Sequence, residues 1–241
     1  MADFDIVIPV GPNDSSIIAR QLEYTKKNVI GYRNIYLVAY DPTLLIEGCT
    51  AIPETMFPFS IETIASLHGK MDRNGWYLQQ LLKLYAGLVI PGILERYLVI
   101  DSDTFFLKPT TFVADGKCLY NYGTEHHRPY FEHMARLDRR FTKQIADKSG
   151  ICHHMIFETK YVKEIMDIVE ENHKDAFYKV FLSTVTDIPY SGASEYELYF
   201  NYMVRQHPDQ ITIRALSWKN TSQLEVTSNY DYISYHWYAR R

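Results

Sequence analysis

Residues Phe4-Asp5-Ile6-Val7-Ile8-Pro9-Val10-Gly11 decide the fold. The run is short, β-branched and apolar, and it ends at Pro9 and Gly11, which predicts a buried first strand. Downstream, Ser15 or Ser16 is placed to cap a helix running to about Ile30, and Asn34 to Tyr40 predicts a second strand ending at Asp41-Pro42. Strand, helix and strand in so short a span make a parallel βαβ unit. Open sheets of this kind bind ligands beyond the carboxyl ends of their strands, so a nucleotide base is expected between Pro9, Val10 and Gly11 on one side and Asp41 on the other. Neither G-x-G-x-x-G nor G-x-x-x-x-G-K-[S/T] occurs, so no dinucleotide fingerprint or P-loop is supported.

Farther along, a long helix is predicted from about Asn74 to Val89 and a strand from Arg96 to Ile100. Further strands are expected near Cys118–Tyr122, Ile151–Phe157 and Gln210–Ala215. Helices are expected near Tyr130–Ala146, Lys160–Asn172, Asp175–Ser183 and Ser194–Gln206. No linker-like stretch divides the chain, so residues 1–241 read as one α/β domain.

Composition narrows the class of function. At 46% hydrophobic and 22% charged residues the chain can build a real core. A net charge of −4 without a basic block argues against nucleic acid as the main partner. Twenty tyrosines are more than a core needs, because a buried hydroxyl must find a partner; the surplus is either compositional bias or the lining of a cleft that stacks on sugars or bases. Cys49, Cys118 and Cys152 are widely spaced and odd in number, which suits reduced thiols in a cytoplasmic protein. The start lacks the basic and apolar regions of a signal peptide, and no window reaches membrane-span length, leaving only peripheral membrane contact open.

The strand Tyr97-Leu98-Val99-Ile100 runs straight into Asp101-Ser102-Asp103, followed by Thr104-Phe105-Phe106-Leu107-Lys108-Pro109. With a period of two, the two carboxylates point to the same side. Two hard oxygen ligands at a strand's carboxyl end make half a site for Mn²⁺ or Mg²⁺, a diphosphate supplying more oxygens. The plainer reading is a solvated turn, since aspartates are common at strand ends.

Leu98 to Pro109 resembles the D-x-D segment of GT-A glycosyltransferases, a Rossmann-like fold with a mixed, mainly parallel sheet flanked by helices. The resemblance extends to the Val7–Gly11 strand end, Gly75-Trp76-Tyr77-x-Gln79-Gln80-x-x-Lys83, His153-His154-Met155-Ile156-Phe157, Ser194-Glu195-Tyr196-Glu197-Leu198-Tyr199 and His236-Trp237-Tyr238. It is most similar to poorly characterised bacterial and viral members related to the glycogenin and lipopolysaccharide galactosyltransferase type. What the resemblance implies is transfer of a sugar from a nucleotide-sugar, UDP-linked, to a glycan or other hydroxyl acceptor in a polysaccharide or surface-glycan pathway. It implies that Asp101, with Ser102 beside it, contacts ribose and metal, that Asp103 binds the metal and that the late His236 completes the site. It divides the chain into a nucleotide-sugar half, about residues 1–110, and an acceptor-facing half, about 111–241.

Other residues are read from their spacing. Trp76, Gln80, Lys83 and Gly87 share one stripe of an otherwise apolar helix, with Gln79 at its border. A lysine there needs a negative partner; the aspartate pair and a diphosphate would serve, whereas a water-facing stripe would leave Lys83 merely exposed. Gly87 is expected to admit a second backbone. Ser194-x-x-Glu197 fits a capping box, leaving Glu195 on the side of Tyr199 and Tyr202, where it could act as base toward an acceptor hydroxyl or simply bind one. Adjacent His153 and His154 should face opposite sides of a strand, with His154 expected in the acceptor cleft. Arg240-Arg241 either meet the diphosphate or stay solvated. Lys83 and Glu195 are therefore the candidate catalytic residues.

Three rivals remain. Asp101-Ser102-Asp103-Thr104 also fits the D-x-D-x-T nucleophile of haloacid-dehalogenase-type phosphatases, although a βαβ unit precedes it and no GDxxxD pair follows. A non-catalytic nucleotide-sugar-binding module would have less use for the aspartates. Sugar-nucleotide synthesis lacks its GxGTRL start.

Overall fold

The computed structural model describes residues 3–41, 43–224 and 229–240, the side chain of Trp237 excepted. Pro42, Arg241 and the Trp237 side chain, which figure in the sequence reading, lie outside the described residues.

The strands in chain order are β1 (Phe4–Val10), β2 (Val29–Ile30), β3 (Tyr32–Ala39), β4 (Thr50–Pro53), β5 (Arg96–Ile100), β6 (Thr104–Phe106), β7 (Thr110–Thr111), β8 (Val113–Ala114), β9 (Lys117–Tyr120), β10 (His154–Glu158), β11 (Ile211–Ile213), β12 (Trp218–Asn220) and β13 (Tyr232–Ser234). The helices are α1 (Ile18–Asn28), α2 (Ile61–His68), α3 (Asn74–Val89), α4 (Arg128–Leu137), α5 (Thr159–His173), α6 (Phe177–Ser183) and α7 (Glu195–Gln206). The fold is mixed α/β. Its main sheet has the order β10-β5-β1-β3-β4, parallel throughout except for β10, and is flanked by helices. β1 is buried along its whole length, as an apolar run on both faces requires. Pairing of β1 with β5 stops at Val7, before Pro9, which lacks an N–H.

α3 and β5 match the predicted bounds; elsewhere local chemistry moves them. α1 starts without a side-chain cap: Ile17 holds the N-cap position, past both Ser15 and Ser16, and Ser15 Oγ bonds back to the Pro12 carbonyl. α4 stops at Leu137 rather than near Ala146. The Asp138 carboxylate there accepts from the Arg140 amide at 2.8 Å and from its guanidinium, turning the chain. The short α2, missed in the sequence, is closed by a capping box in which Thr63 takes the place usually held by Glu or Gln. Gly87 is close-packed against side chains rather than a backbone: a Cβ there would lie 2.3 Å from Thr159 Oγ1 and 2.6 Å from Tyr97. Among the described residues no helix is long and apolar enough to cross a membrane.

Two histidines lie deep in the core. His133 donates from Nε2 to the Phe181 carbonyl, and its Nδ1 has no partner; both ring nitrogens of His154 lack one. Burial pushes His133 down to about 4 and His154 down to about 3. Both are therefore neutral in the fold but titrate near 6.5 in the unfolded chain, so they cost nothing above that pH. Their penalty grows as pH falls from 6.5 toward the folded values, where it levels off. His154 packs against Phe106, Phe112 and Tyr232. His154→Phe is therefore expected to hold stability at pH 7 and to remove about 2 kcal/mol of the loss between pH 7 and pH 5, measured by urea unfolding at the two values. An unchanged pH slope would refute this.

Candidate active site

β5 lies inside the sheet between β10 and β1, so its carboxyl end delivers Asp101 to the sheet's ligand edge. Two ladders then bring distant residues to it. β10 runs antiparallel with His154 opposite Ile100, so His153 falls beside Asp101, whose amide donates to the His153 carbonyl at 3.0 Å. β13 runs antiparallel to β6 with Ser234 opposite Thr104, and the Tyr235 amide continues the ladder to the Asp103 carbonyl at 2.8 Å. That register puts His236 Nδ1 2.8 Å from Asp103 Oδ2, and the rings of His153 and His236 stand 4.8 Å apart. Asp101, Asp103, His153 and His236 thus form one cluster.

Behind Asp101 lies a buried ionic group. Lys83 Nζ sits 2.6 Å from Asp101 Oδ1 and 2.7 Å from Glu195 Oε1, and 4.3 Å from the Tyr196 ring centre. The Tyr196 hydroxyl donates to the same Asp101 Oδ1 at 2.9 Å, and His153 Nδ1 is 3.4 Å from Oδ2. Burial opposes every charge in this group. The two carboxylates nevertheless hold Lys83 above its ordinary value, and Lys83 and His153 hold Asp101 well below the carboxylate range. Burial prevails at Glu195, whose carboxyl is raised. Gln80 Oε1 accepts from the Glu195 amide at 3.1 Å, occupying an orphan donor at the start of α7.

Asp103 is different. Its Oδ1 is buried and has no hydrogen-bond partner. At His236 burial works against protonation, but the bond to Asp103 and the nearby carboxylates outweigh it and raise the imidazole's affinity for a proton. Ser102 Oγ donates to Asp14 Oδ2 at 2.6 Å, and Arg240 reaches Asp14 Oδ1 at 2.5 Å and the Asn13 carbonyl at 2.8 Å. The end of the chain is thereby tied to the loop after β1. That loop borders a cleft of about 210 Å³ lined by Val10, Gly11, Pro12, Ser15, Tyr40, Asp41 and Leu44. Asp41 is organised for it by Thr43, whose amide and hydroxyl both donate to Oδ1.

Several expectations are corrected. His154 is 2% exposed and faces the core, not a cleft; His153 stands before β10 rather than in it, and its left-handed φ of 64°, not strand alternation, turns it to the acidic pair. Tyr199 is fully buried, its hydroxyl bonded to the Glu158 amide, so it lines no acceptor cleft. The side chains of Lys83 and Glu195 are each 4% exposed and engage one another, which removes Lys83 from direct phosphate contact and Glu195 from a free carboxylate's role. Glu197 does not close a capping box. Ser194 caps α7, but the Glu197 carboxylate bonds Ser149 and Asn201. Pro9 is buried in β1 and does not line the cleft, while Val10, Gly11 and Asp41 do. Asp14 and Tyr196 were given no role from the sequence: Asp14 sits in a loop without a motif, and Tyr196 is one of many tyrosines.

The donor set of Asp101, Asp103 and His236 is chemically suited to Mn²⁺ or Mg²⁺, and the unpartnered Asp103 oxygen is the atom such a cation would satisfy. Among the described residues no three His, Cys, Asp or Glu side chains are arranged to hold a metal by themselves. Oxygens of a ligand and water would have to supply the remaining positions.

The chain belongs to the family of unknown function DUF6492, whose model matches residues 40–239. No curated protein matches it. Among solved structures it is similar to mouse xyloside xylosyltransferase 1 in its apo form, at 10% identity and a TM-score of 0.48, over 96% of this chain and 97% of that one. A likeness at that level carries no argument about activity.

Proposed function

We propose that this member of a family of unknown function is a metal-dependent glycosyltransferase that takes a sugar from a nucleotide-sugar, UDP-linked, and places it on a hydroxyl acceptor. The observation that carries the reading is the buried Asp103 oxygen without a partner, in an acidic cluster beyond the carboxyl end of the interior strand β5. A carboxylate left unsatisfied in a folded protein costs stability, and a cation recovers that cost. The base would occupy the cleft between Gly11 and Asp41, with the diphosphate leading past Asp14 and Ser102 to the aspartates.

A divalent cation held there would neutralise charge on the departing diphosphate. The chain's own residues do the rest. Lys83, Glu195 and Tyr196 fix the rotamer and charge of Asp101. His236 orients Asp103. In the reaction the anomeric C–O bond to phosphate breaks with its electron pair leaving on the diphosphate, and the acceptor oxygen forms the new glycosidic bond as its proton passes to the departing diphosphate or to water.

The test is a panel of nucleotide-sugars incubated with protein and Mn²⁺, with p-nitrophenyl phosphate in parallel. Slow, metal-dependent release of free sugar from at least one donor is expected. Hydrolysis of the phosphate ester alone would replace this reading with the phosphatase; metal-independent donor binding without turnover would replace it with a binding module.

A further inference from the structure

We propose that Asp14 is a positioning residue that clasps residues 235–240 to the turn carrying Asp101 and Asp103, and so holds His236 against Asp103. The use of this clasp to a donor rests on the transferase reading above; the clasp itself does not.

Asp14 offers one carboxylate oxygen to each side. Oδ2 accepts from Ser102 Oγ at 2.6 Å. Ser102 stands between the two aspartates, 1% exposed, in a turn closed by the Thr104 amide on the Asp101 carbonyl at 2.9 Å. A hydroxyl so fully buried needs an acceptor, and Asp14 supplies it.

Oδ1 faces the end of the chain, where Arg240 uses three donors of one rigid plane. Its Nη2 reaches Asp14 Oδ1 at 2.5 Å, its Nη1 the Asn13 carbonyl at 2.8 Å and its Nε the Tyr235 carbonyl at 3.0 Å. The guanidinium lies 5.2 Å from the Tyr235 ring centre. Together with the Ala239 amide, which donates to the His236 carbonyl at 2.9 Å, these bonds fold residues 235–240 into one turn with His236 inside it. The ladder of β13 on β6 ends at Ser234, so the sheet no longer holds this turn. Chain ends without such ties are loosely held. The Arg240 and Asp14 side chains are 16% and 13% exposed, which shields their pair more than an open surface pair.

The clasp also reaches the base cleft. Asp14 lies in the loop whose Gly11, Pro12 and Ser15 line it. The Asp14 amide donates to the Gly11 carbonyl at 3.1 Å, and its carbonyl accepts from the Ile17 and Ile18 amides at 3.0 Å, where α1 begins. One residue thus joins the cleft wall, the aspartate turn and the histidine. A nucleoside diphosphate spanning cleft and cation finds all three in register.

Amide exchange followed by NMR in the metal-free full chain tests the clasp, with Arg240→Gln, Asp14→Ala and the double variant beside wild type. The Tyr235 amide, bonded to the Asp103 carbonyl, is expected to exchange about tenfold faster in Arg240→Gln, the size of one bond between charged groups. Amides of β5 should keep wild-type rates, and the double variant should exchange no faster than Asp14→Ala. UDP titrated into the same proteins with Mn²⁺ should bind about tenfold more weakly to Arg240→Gln than to wild type. Arg240→Gln changes only the chain's end, so it folds even if Asp14→Ala does not.

A wild-type rate at Tyr235 in Arg240→Gln, or equal acceleration throughout β5, overturns the clasp. Faster exchange at Tyr235 with unchanged UDP affinity overturns its part in the donor site. Wild-type protein that ignores UDP in Mn²⁺ would instead sink the transferase reading, and the exchange rates would still decide whether Asp14 holds the turn.

Discussion

Replacing Lys83 with methionine is expected to lower stability by about 3–5 kcal/mol at pH 7, the range for removing one partner from a buried ion pair. The size follows from what stays behind. Lys83 is the only cation within hydrogen-bond reach of both Asp101 and Glu195 among the described residues, and the Glu195 side chain is 4% exposed. Without the ammonium, two carboxylates face one another in a site that burial already makes hostile to charge, as the raised Glu195 carboxyl shows. Protonation of Glu195 relieves part of that penalty, so the deficit should shrink on going from pH 7 to pH 5, and urea unfolding at both values measures it. A loss below about 1 kcal/mol at pH 7 would mean that the cluster is not a tightly coupled unit.

Asp103→Asn is expected to act in the opposite sense: metal-dependent donor turnover falls by about a thousandfold or more, about 4 kcal/mol of barrier, while the fold is as stable as before or more so. The two effects have one cause. Asp103 Oδ1 is buried without a partner, so in the metal-free protein its charge is a cost that the amide reduces. The bond from His236 to Oδ2 keeps an acceptor in the isosteric variant. Sugar release from the best donor of the panel, with a thermal melt in EDTA, checks both parts. Wild-type turnover, or a large drop in melting temperature with normal turnover, would remove Asp103 from the metal site and return it to a structural role.

What was legible in the sequence follows a physical rule: long periodic elements and β-branched runs announce themselves, and registers do not. α3 and β5 fell where their patterns placed them, and the strand end of β1 marked the cleft, because each is buried strongly enough for local pattern to prevail. Opposite facings for His153 and His154 were expected from strand alternation, but His153 lies before β10 in a left-handed conformation, and which of the two faces Asp101 was not readable. That depends on β10 entering antiparallel with His154 opposite Ile100, a long-range pairing no local window contains. The role of Lys83 was half legible: its need for an anion was clear, yet nothing in the spacing says that Glu195, 112 positions away, supplies the second carboxylate and keeps Lys83 from a ligand. Asp14 and Arg240 meet only because the chain's end folds back over the first loop.

The central claim is that Asp101 and Asp103 hold a divalent cation through which a nucleoside diphosphate binds. Isothermal titration of UDP into the protein, in Mn²⁺ and again in EDTA, tests it most directly, with Asp103→Asn run alongside. The account predicts saturable heat with wild-type protein in Mn²⁺ and none in EDTA or with the variant. Equal UDP affinity in Mn²⁺ and EDTA, or binding by Asp103→Asn as tight as wild type, would contradict it.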